Sequence, residues 1–312
     1  MAKNQNLFLG IDGGATKSTL VLIDEEENKI FKAVGKSLNL RIVGKRTFLN
    51  NFNSLLKKIN PSLRKNIKGA CFGLAGVDSK EDKKIVTEQI KKISKKVLPC
   101  PFFVANDIEI ILPSVGLGEG VVVICGTGSN FFAKKDKKEA FAGGLDYVLS
   151  DEASAFDIGL RILRAAVKSF DKRGEKSILE EMVLKKTKIK NIKDLTNFIY
   201  KGNTKKRVAS FAPLLAKAIE KKDNVAEAIL NSILEEIFSG VFAVSKRVGL
   251  KDNFYIAIVG SVFYNKFLVD KVIEGVRKKF KNVKITMVPE PEVGAARLAK
   301  SKFFEKSCDK LY

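Results

Sequence analysis

The sequence predicts a mixed α/β fold that is divided into two domains. Apolar, strand-like runs alternate with segments of helical periodicity from residue 7 onward, and a second cycle of the same kind begins at Val121. Each cycle opens with a glycine-rich turn between two apolar runs, at residues 13–17 and 126–129. The two turns lie about one domain length apart, and 312 residues are enough for two domains with sizeable cores.

The first cycle is predicted to contain both strands and helices in alternation. Each strand is a short apolar run, and the second helix repeats apolar residues at Ile85, Ile90 and Ile93. The first helix is predicted to end before Asn60, because a residue that precedes a proline disfavours the helical conformation. We predict strands at 7–11, 18–24, 28–35, 67–73 and 101–105, and helices at 46–59 and 80–96.

The second cycle is predicted to be richer in helix. After the turn at 126–129, either Ser150 or Asp151 fits the N-cap of a helix. Residues 175–249 are predicted to be mostly helical because they carry no strand pattern. We predict strands at 253–259 and 283–288, a last helix from about Gly294, and a domain boundary in the glycine- and proline-containing loop 113–120.

The composition excludes several classes of site. The chain has no histidine, which removes histidine catalysis and the usual zinc sites. Its cysteines are Cys71, Cys100, Cys125 and Cys308; none forms a Cys-x-x-Cys pair, and we expect Cys71 and Cys125 to be small core residues. No apolar stretch approaches the ~20 residues that span a bilayer, and the first strand begins too early to leave room for a signal peptide. We therefore expect a cytoplasmic protein without a membrane partner.

The chain is strongly basic, with a formal net charge of +22. Such a charge raises the question of nucleic-acid binding. However, the basic residues are mostly lysine and are spread along the chain, whereas the reading of bases relies on arginine. We therefore expect no specific nucleic-acid partner, and the positive charge is expected to attract anionic ligands such as ATP.

The two glycine-rich turns are candidate phosphate-binding loops. Glycine allows a tight turn and a close approach of the backbone to a ligand, and backbone N–H groups and hydroxyls bind phosphate oxygens. Either turn alone would also fit an ordinary hairpin turn. Neither matches the P-loop pattern or the Gly-x-Gly-x-x-Gly pattern that opens a helix. Two such turns in one chain suggest two loops that hold one polyphosphate.

Carboxylates follow the predicted strands at the positions where ligands bind in α/β sheets. Asp12 directly precedes the first turn, Asp107 follows the strand 101–105, and Asp151 lies at a predicted helix start. Without histidine, a carboxylate is the natural general base, and Mg²⁺ in phosphoryl transfer is held by one or two carboxylates. The sequence therefore fits phosphoryl transfer from ATP to a hydroxyl. Asp107 and Asp151 each fit a helix cap equally well.

A set of short motifs occurs in a fixed order along nearly the whole chain, at residues 10–17, 73–76, 106–107, 126–129, 143–144, 151–154, 260–262 and 289–296. The set resembles the BadF/BadG/BcrA/BcrD family, which includes N-acetylglucosamine kinases of the actin/hexokinase/Hsp70 ATPase superfamily. The resemblance implies two ribonuclease-H-like, actin-like ATPase domains that close on ATP and Mg²⁺, and it suggests a homodimer. The domains would be 1–112, completed by the C-terminal helix 294–312, and 113–293, which carries a large helical insertion.

The resemblance also implies roles for individual residues. Asp12 would bind the metal ion, and Asp107 would be the catalytic base that takes the proton from the sugar 6-hydroxyl. The nucleotide would be bound by Gly13, Gly14, Ala15, Thr16, Lys17, Gly126, Thr127, Gly128 and Ser129, with Gly260 and Ser261 near the adenosine. The sugar would be contacted by Asn39, Gly76, Asp107, Thr127, Gly144 and Asp151. The implied activity is ATP-dependent phosphorylation of an amino sugar, with N-acetylglucosamine as the leading candidate.

Two departures from the family pattern leave the acceptor open. The family has Gly-Gly-Trp-Gly where this chain has Leu145-Asp146 after the two glycines, and it has Gly on both sides of Asp-Glu where this chain has Ser150 and Ala153. N-acetylglucosamine, glucosamine and N-acetylmuramic acid all suit the framework. Asp146 adds a charge that could pair with an amino group.

Two other functions stay open from the sequence alone. One branch of the family consists of ATPase activators of 2-hydroxyacyl-CoA dehydratases and benzoyl-CoA reductases, which need paired cysteines for a shared iron–sulfur cluster. Cys125 precedes the second turn, but no paired cysteine follows it. The other alternative is a nucleotide-binding regulator without catalysis. The presence of Asp12, Asp107 and both turns argues against this alternative.

Overall fold

The computed structural model describes residues 5–305, and for residues 93–96 and 305 it describes the backbone alone. Cys308 and the end of the predicted C-terminal helix lie outside the described residues. The chain forms two compact units: unit 1 consists of Met1–Gly118 and Val288–Tyr312, and unit 2 consists of Glu119–Met287. Each unit contains one five-stranded sheet.

The elements of the described residues are named in chain order. The strands are β1 (Leu7–Gly13), β2 (Lys17–Ile23), β3 (Lys29–Lys36), β4 (Ile67–Leu74), β5 (Phe102–Asn106), β6 (Gly120–Cys125), β7 (Ser129–Lys135), β8 (Lys138–Gly143), β9 (Tyr255–Val259) and β10 (Lys284–Met287). The helices are α1 (Leu40–Lys57), α2 (Pro61–Arg64), α3 (Lys80–Val97), α4 (Ile111–Ser114), α5 (Ala155–Phe170), α6 (Leu179–Thr187), α7 (Leu195–Tyr200), α8 (Thr204–Ala209), α9 (Leu214–Glu220), α10 (Asn224–Val248), α11 (Lys266–Lys279) and α12 (Pro291–Lys300).

The sheet of unit 1 has the order β3-β2-β1-β4-β5. β2 is antiparallel to both β1 and β3, whereas β4 is parallel to β1 and β5 is parallel to β4. Leu7, Leu9 and Ile11 of β1 pack in a core with α1 and α3, while Phe8 packs in a second core with α12. Because both faces of this strand are buried, its sequence is a continuous apolar run rather than an alternating one.

The sheet of unit 2 has the order β10-β9-β6-β7-β8. β6, β7 and β8 are antiparallel, and β9 and β10 are parallel to β6, so the strand pattern is that of unit 1. Helices α5 to α10 lie between β8 and β9 in the chain. The predicted mixed α/β fold with two sheets is confirmed.

One described helix, α10, is long and apolar enough to cross a membrane by its length and composition. Half of its most apolar window is buried, and Ile237, Val241 and Val244 contribute to the core of unit 2. The helix packs against β7 and β8. α10 is therefore a core helix of unit 2.

Several predicted boundaries differ from the structure. Residues 288–293 belong to unit 1 rather than to the second domain, because Glu290 pairs with Lys29 and Lys32 of β3. The last helix begins at Pro291 and not near Gly294, because proline suits the first turn of a helix. The strand β8 was not predicted as a separate element.

The first helix starts at Leu40 rather than at residue 46, and the helix after the second turn starts at Ala155 rather than directly after Asp151. Asn39 caps α1 by accepting a hydrogen bond from the Ile42 N–H group, and Gly44 interrupts the helix with φ 72°. This interruption separates the first turn of α1 from the later part of the helix, whose periodic apolar residues were the basis of the prediction.

Candidate active site

The first glycine-rich turn joins β1 to β2 in unit 1. The Gly14 N–H group donates to the Lys17 carbonyl oxygen (3.0 Å), and the side chains of Ala15, Thr16 and Lys17 are exposed. A Cβ atom on Gly13 would lie 2.4 Å from Leu74 Cδ2, so a larger residue there would displace the Leu74 side chain. The turn therefore presents its hydroxyl, its ammonium group and its backbone to solvent, as phosphate binding requires.

Asp12 and Asp107 lie at the same edge of the sheet of unit 1. Asp12 is paired with Gly73 of β4, and Asn106 at the end of β5 is paired with Leu74, so the ends of three parallel strands meet there. Burial and, to a smaller extent, the nearby Asp107 and Glu292 carboxylates raise the pKa of Asp12 to about 7, and Lys17 opposes this shift. A carboxyl group with so high a pKa is a candidate functional group.

Asp107 follows β5 in a turn and does not cap the next helix. The N-cap of α4 is Ile110, which makes no side-chain cap, and the Ile108 N–H group donates to Asn106 Oδ1 (2.9 Å). Burial, helped by the Asp78 and Glu109 carboxylates, raises the pKa of Asp107 to about 6, although the backbone N–H groups of Ile108 and Asp107 act in the opposite direction. This carboxyl group loses its proton near neutral pH, which suits a general base.

The residues at this edge fit a magnesium ion that is held jointly with phosphate. The described residues contain no group of three Asp, Glu, His or Cys side chains that could hold a metal ion by themselves. Mg²⁺ bound to a nucleotide needs only one or two carboxylates beside the phosphate oxygens. A cation at Asp12 would relieve the repulsion from Asp107 and Glu292 and would favour the ionised form.

Asn39 and Gly76 lie together in unit 1. Gly76 has φ 80°, and a Cβ atom on it would lie 3.1 Å from the side-chain amide of Asn39. The Asn39 Oδ1 atom accepts from the Ile42 N–H group (3.2 Å), so the side chain is fixed as a helix cap. The structure thus brings together two of the three predicted sugar-contact residues of unit 1, Asn39 and Gly76, and gives Asn39 a structural role as well.

The second glycine-rich turn lies in unit 2 and is contacted by two other predicted site residues. The Gly126 N–H group donates to the Gly128 carbonyl oxygen (2.9 Å). A Cβ atom on Gly128 would lie 2.8 Å from the Asp151 carboxylate, and one on Gly260 would lie 2.3 Å from the carbonyl oxygen of Cys125. Thr127 and Ser261 are exposed. Asp151 therefore lies against the turn at Gly128, and Gly260 lies against Cys125 at the start of the turn.

Asp151 is buried and does not cap α5. The cap is Ser154, which accepts from the Asp157 N–H group, so the predicted capping by Ser150 or Asp151 is wrong. Asp151 instead accepts from the Ser129 N–H group (3.1 Å) and from the Lys205 ammonium group (2.9 Å). A buried carboxylate requires such partners.

The loop after β8 departs from the family pattern and is held by the protein itself. A Cβ atom on Gly144 would lie 2.7 Å from the Asn130 side-chain amide, and Asn130 Oδ1 is buried without a partner among residues 5–305. Asp146 pairs with Lys205. The charge of Asp146, which we expected to be available to an amino group, is therefore already paired.

The sequence missed four residues of these clusters: Asp78, Asn130, Lys205 and Glu292. Glu292 is 3% exposed, pairs with Lys32 (2.7 Å) and raises the pKa of Asp12. Glu292 lies in the motif at 289–296, and its place in that motif is the sequence feature that could have indicated it as a site residue. Lys205 has no local signal, because its partners are 54 and 59 residues away in the chain.

The described cysteines do not support the activator alternative. Cys71 and Cys125 are buried, Cys100 is partly buried, and all three are free. Burial raises the pKa of the Cys125 thiol, which disfavours the thiolate that a cluster ligand requires.

The sequence profile of the BadF/BadG/BcrA/BcrD ATPase family matches residues 9–299. The chain belongs to this family. The predicted family membership is thus confirmed over nearly the whole chain.

Two curated relatives and one solved structure resemble the chain along its length. An N-acetylmuramic acid/N-acetylglucosamine kinase of Clostridium acetobutylicum is 33% identical, and the match covers 94% of this chain and 98% of the relative. An N-acetyl-D-glucosamine kinase of Dictyostelium discoideum is 25% identical over 95% of this chain and 98% of the relative. A crystal structure assigned as an N-acetylglucosamine kinase of Chromobacterium violaceum has a TM-score of 0.72 at 21% identity and covers 95% of this chain and 99% of its own. The last likeness shows that the two proteins share a fold.

Proposed function

We propose that the protein is an ATP-dependent kinase that transfers a phosphoryl group to a hydroxyl of an amino sugar. Asp107 carries the proposal, because it is a carboxyl group at a strand end with a pKa of about 6 and without a capping role. The names of the two curated relatives support the same reaction and the same class of acceptor. At the finer level we propose the 6-hydroxyl of N-acetylglucosamine or of N-acetylmuramic acid as the acceptor.

In this proposal, Asp107 accepts the proton of the attacking hydroxyl. Phosphoryl transfer needs little covalent chemistry from the protein, so catalysis consists of positioning and charge stabilisation. Asp12 and the turn at 13–17 hold the metal ion and the phosphates in unit 1, and the turn at 126–129 provides a second phosphate-binding loop in unit 2. Mg²⁺, when bound, neutralises the charge that develops on the phosphate oxygens.

The acceptor contacts are proposed separately for each unit. In unit 1, Gly76 leaves room beside the Asn39 amide. In unit 2, Gly144 lies against the side chain of Asn130, whose buried Oδ1 atom has no partner within residues 5–305. Hydroxyl and amide groups of a sugar have the donors that such an acceptor atom requires. Thr127 and Asp151 complete the proposed contacts.

The test is ADP release with and without sugar. The wild-type protein is incubated with ATP and Mg²⁺ and with N-acetylglucosamine, N-acetylmuramic acid, glucosamine or glucose. We expect N-acetyl amino sugars to stimulate ADP release, with glucose as the matched control that lacks the nitrogen substituent. A 6-deoxy analogue that still stimulates ADP release would contradict the 6-hydroxyl, and the absence of any sugar stimulation would contradict the kinase itself.

The pH dependence of the reaction should reflect the protonation of Asp107. At saturating ATP and Mg²⁺, kcat/KM for the sugar should fall as the pH drops through about 6, because the base becomes protonated. In Asp78→Asn, this acid limb should move to lower pH, since the Asp78 carboxylate raises the pKa of Asp107. Glu81→Gln, which removes one exposed charge from α3, is the matched control and should leave the limb in place. An unshifted limb in Asp78→Asn would assign the titration to another group.

A further inference from the structure

A cluster of one cation and two carboxylates lies next to the second turn in unit 2. The Lys205 ammonium group donates to Asp151 Oδ2 (2.9 Å) and to Asp146, and it lies 5.1 Å from the centre of the Tyr147 ring. Lys205 is on α8, and both carboxylates belong to the segment that follows β8. The cluster therefore connects a helix of the insertion to the loop where this chain departs from its family.

The cluster determines the orientation of the Asp151 carboxylate. One oxygen accepts from the Ser129 N–H group at the end of the turn and the other accepts from Lys205. A carboxylate oxygen can accept more than one hydrogen bond, so each oxygen keeps a position for a ligand hydroxyl. Without Lys205, one of the two oxygens would lose the partner that holds it.

The helix that carries Lys205 is itself held firmly. A Cβ atom on Gly159 of α5 would lie 2.0 Å from the carbonyl oxygen of Val208, so α5 and α8 are in close contact. The start of α5 is joined to the second turn, because the Ala155 N–H group donates to the Gly126 carbonyl oxygen (2.8 Å). The position of the Lys205 backbone is therefore fixed relative to the turn.

Asp146, the carboxylate of the cluster that lies in the loop after β8, is held by Lys205 of α8. Asp146 has φ 73°, a left-handed conformation that few residues other than glycine adopt readily, and the family has glycine at this position. Its carboxylate accepts from Lys205 and from the Tyr147 N–H group, and the Ser150 N–H group donates to its carbonyl oxygen. Lys205 thus holds both the loop, through Asp146, and the carboxylate of Asp151.

We propose that Lys205 is a positioning residue for the acceptor sugar. Its ammonium group holds Asp151 and the loop 144–150 in the arrangement that binds the acceptor, and it acts through these groups rather than by contact with phosphate. The inference rests on the proposed function, in which Asp151 contacts the sugar.

The experiment compares steady-state kinetics of the wild type with Lys205→Met, Lys205→Arg and the control Lys206→Met. Methionine keeps the length of the side chain but removes the charge, and Lys206 is an exposed neighbour on the same helix. Loss of a hydrogen bond between charged groups corresponds to a change of about ten- to a hundredfold. We expect Lys205→Met to raise KM for the sugar by this factor and to leave KM for ATP nearly unchanged. Lys205→Arg should restore most of the sugar affinity, and Lys206→Met should match the wild type.

A second measurement does not depend on turnover. The sugar should raise the melting temperature of the wild type but not that of Lys205→Met, whereas ADP with Mg²⁺ should raise both. If Lys205→Met lowers the melting temperature but keeps the wild-type KM for the sugar, the ion pairs are only structural and the inference is overturned. Equal increases of both KM values would overturn it too. Failure of the proposed function is distinct, since the wild type itself would then respond to no sugar.

Discussion

The variant Asp107→Asn should bind both substrates and turn over about 10²- to 10⁴-fold more slowly than the wild type. Asparagine has nearly the same shape as aspartate, but its neutral amide cannot take a proton from a hydroxyl. The buried carboxylate is replaced by a neutral group, so we expect no loss of folding stability. Turnover is measured by ADP release at pH 8, and substrate binding is measured by the melting-temperature shift with ADP, Mg²⁺ and sugar.

Glu109→Gln is the matched control for this variant. Glu109 lies in the same turn, is half-buried and pairs with Lys83 (2.7 Å), and its replacement removes the same single charge. Such an ion pair contributes little, so we expect turnover to stay within about twofold of the wild type. Normal turnover in a folded Asp107→Asn protein would remove the assignment of the base. Asp151 would then be the next carboxylate to test.

The fold was predictable because its signals are local. Continuous apolar runs gave the central strands to within about two residues, since β1 and β6 are buried on both faces. The glycine-rich turns at 13–17 and 126–129 were predictable because their glycines lie close together between two apolar runs. The candidate carboxylates at the strand ends, Asp12 and Asp107, could therefore be identified from the sequence as well.

The partners of the site residues were not predictable in the same way. The sequence analysis predicted Ser150 or Asp151 as the N-cap, but Asp151 is engaged by the distant residues Ser129 and Lys205. The cap is Ser154. The start of α1 was missed because Gly44 breaks the helical pattern beside Asn39. Glu292 reaches Asp12 only through the folding of the C-terminal segment onto β1.

The last prediction is that Asp12→Asn stabilises the protein at pH 8 while it greatly weakens the response to ADP with Mg²⁺. The pKa of Asp12 is about 7 in the folded protein and about 4 in an unfolded chain. The folded pKa is raised, so the charge has no cost below about pH 4 and its full cost above about pH 7. A shift of about three units corresponds to roughly 4 kcal/mol, of which the neutral amide should recover a part. We expect the melting temperature to rise by several degrees at pH 8.

The measurement is thermal unfolding without nucleotide and with a chelator, at pH 8 and at pH 4.5. The gain of Asp12→Asn should shrink at pH 4.5, because the wild-type carboxyl group is then protonated. ADP with Mg²⁺ should raise the melting temperature of the wild type much more than that of the variant, since the amide cannot replace the charged ligand.

Asp24→Asn is the control for this comparison. Asp24 is buried in the same unit, but its carboxylate accepts hydrogen bonds from Gln5 and from Asn28. Its replacement should therefore lower the melting temperature at pH 8, in the opposite direction to Asp12→Asn. A gain in Asp12→Asn that is equally large at both pH values would mean that packing and not charge is responsible. A loss at pH 8 would mean that the charged carboxylate stabilises the fold. The metal role of Asp12 would then lose its physical basis, since a bound cation is expected to relieve a charge that destabilises the folded protein.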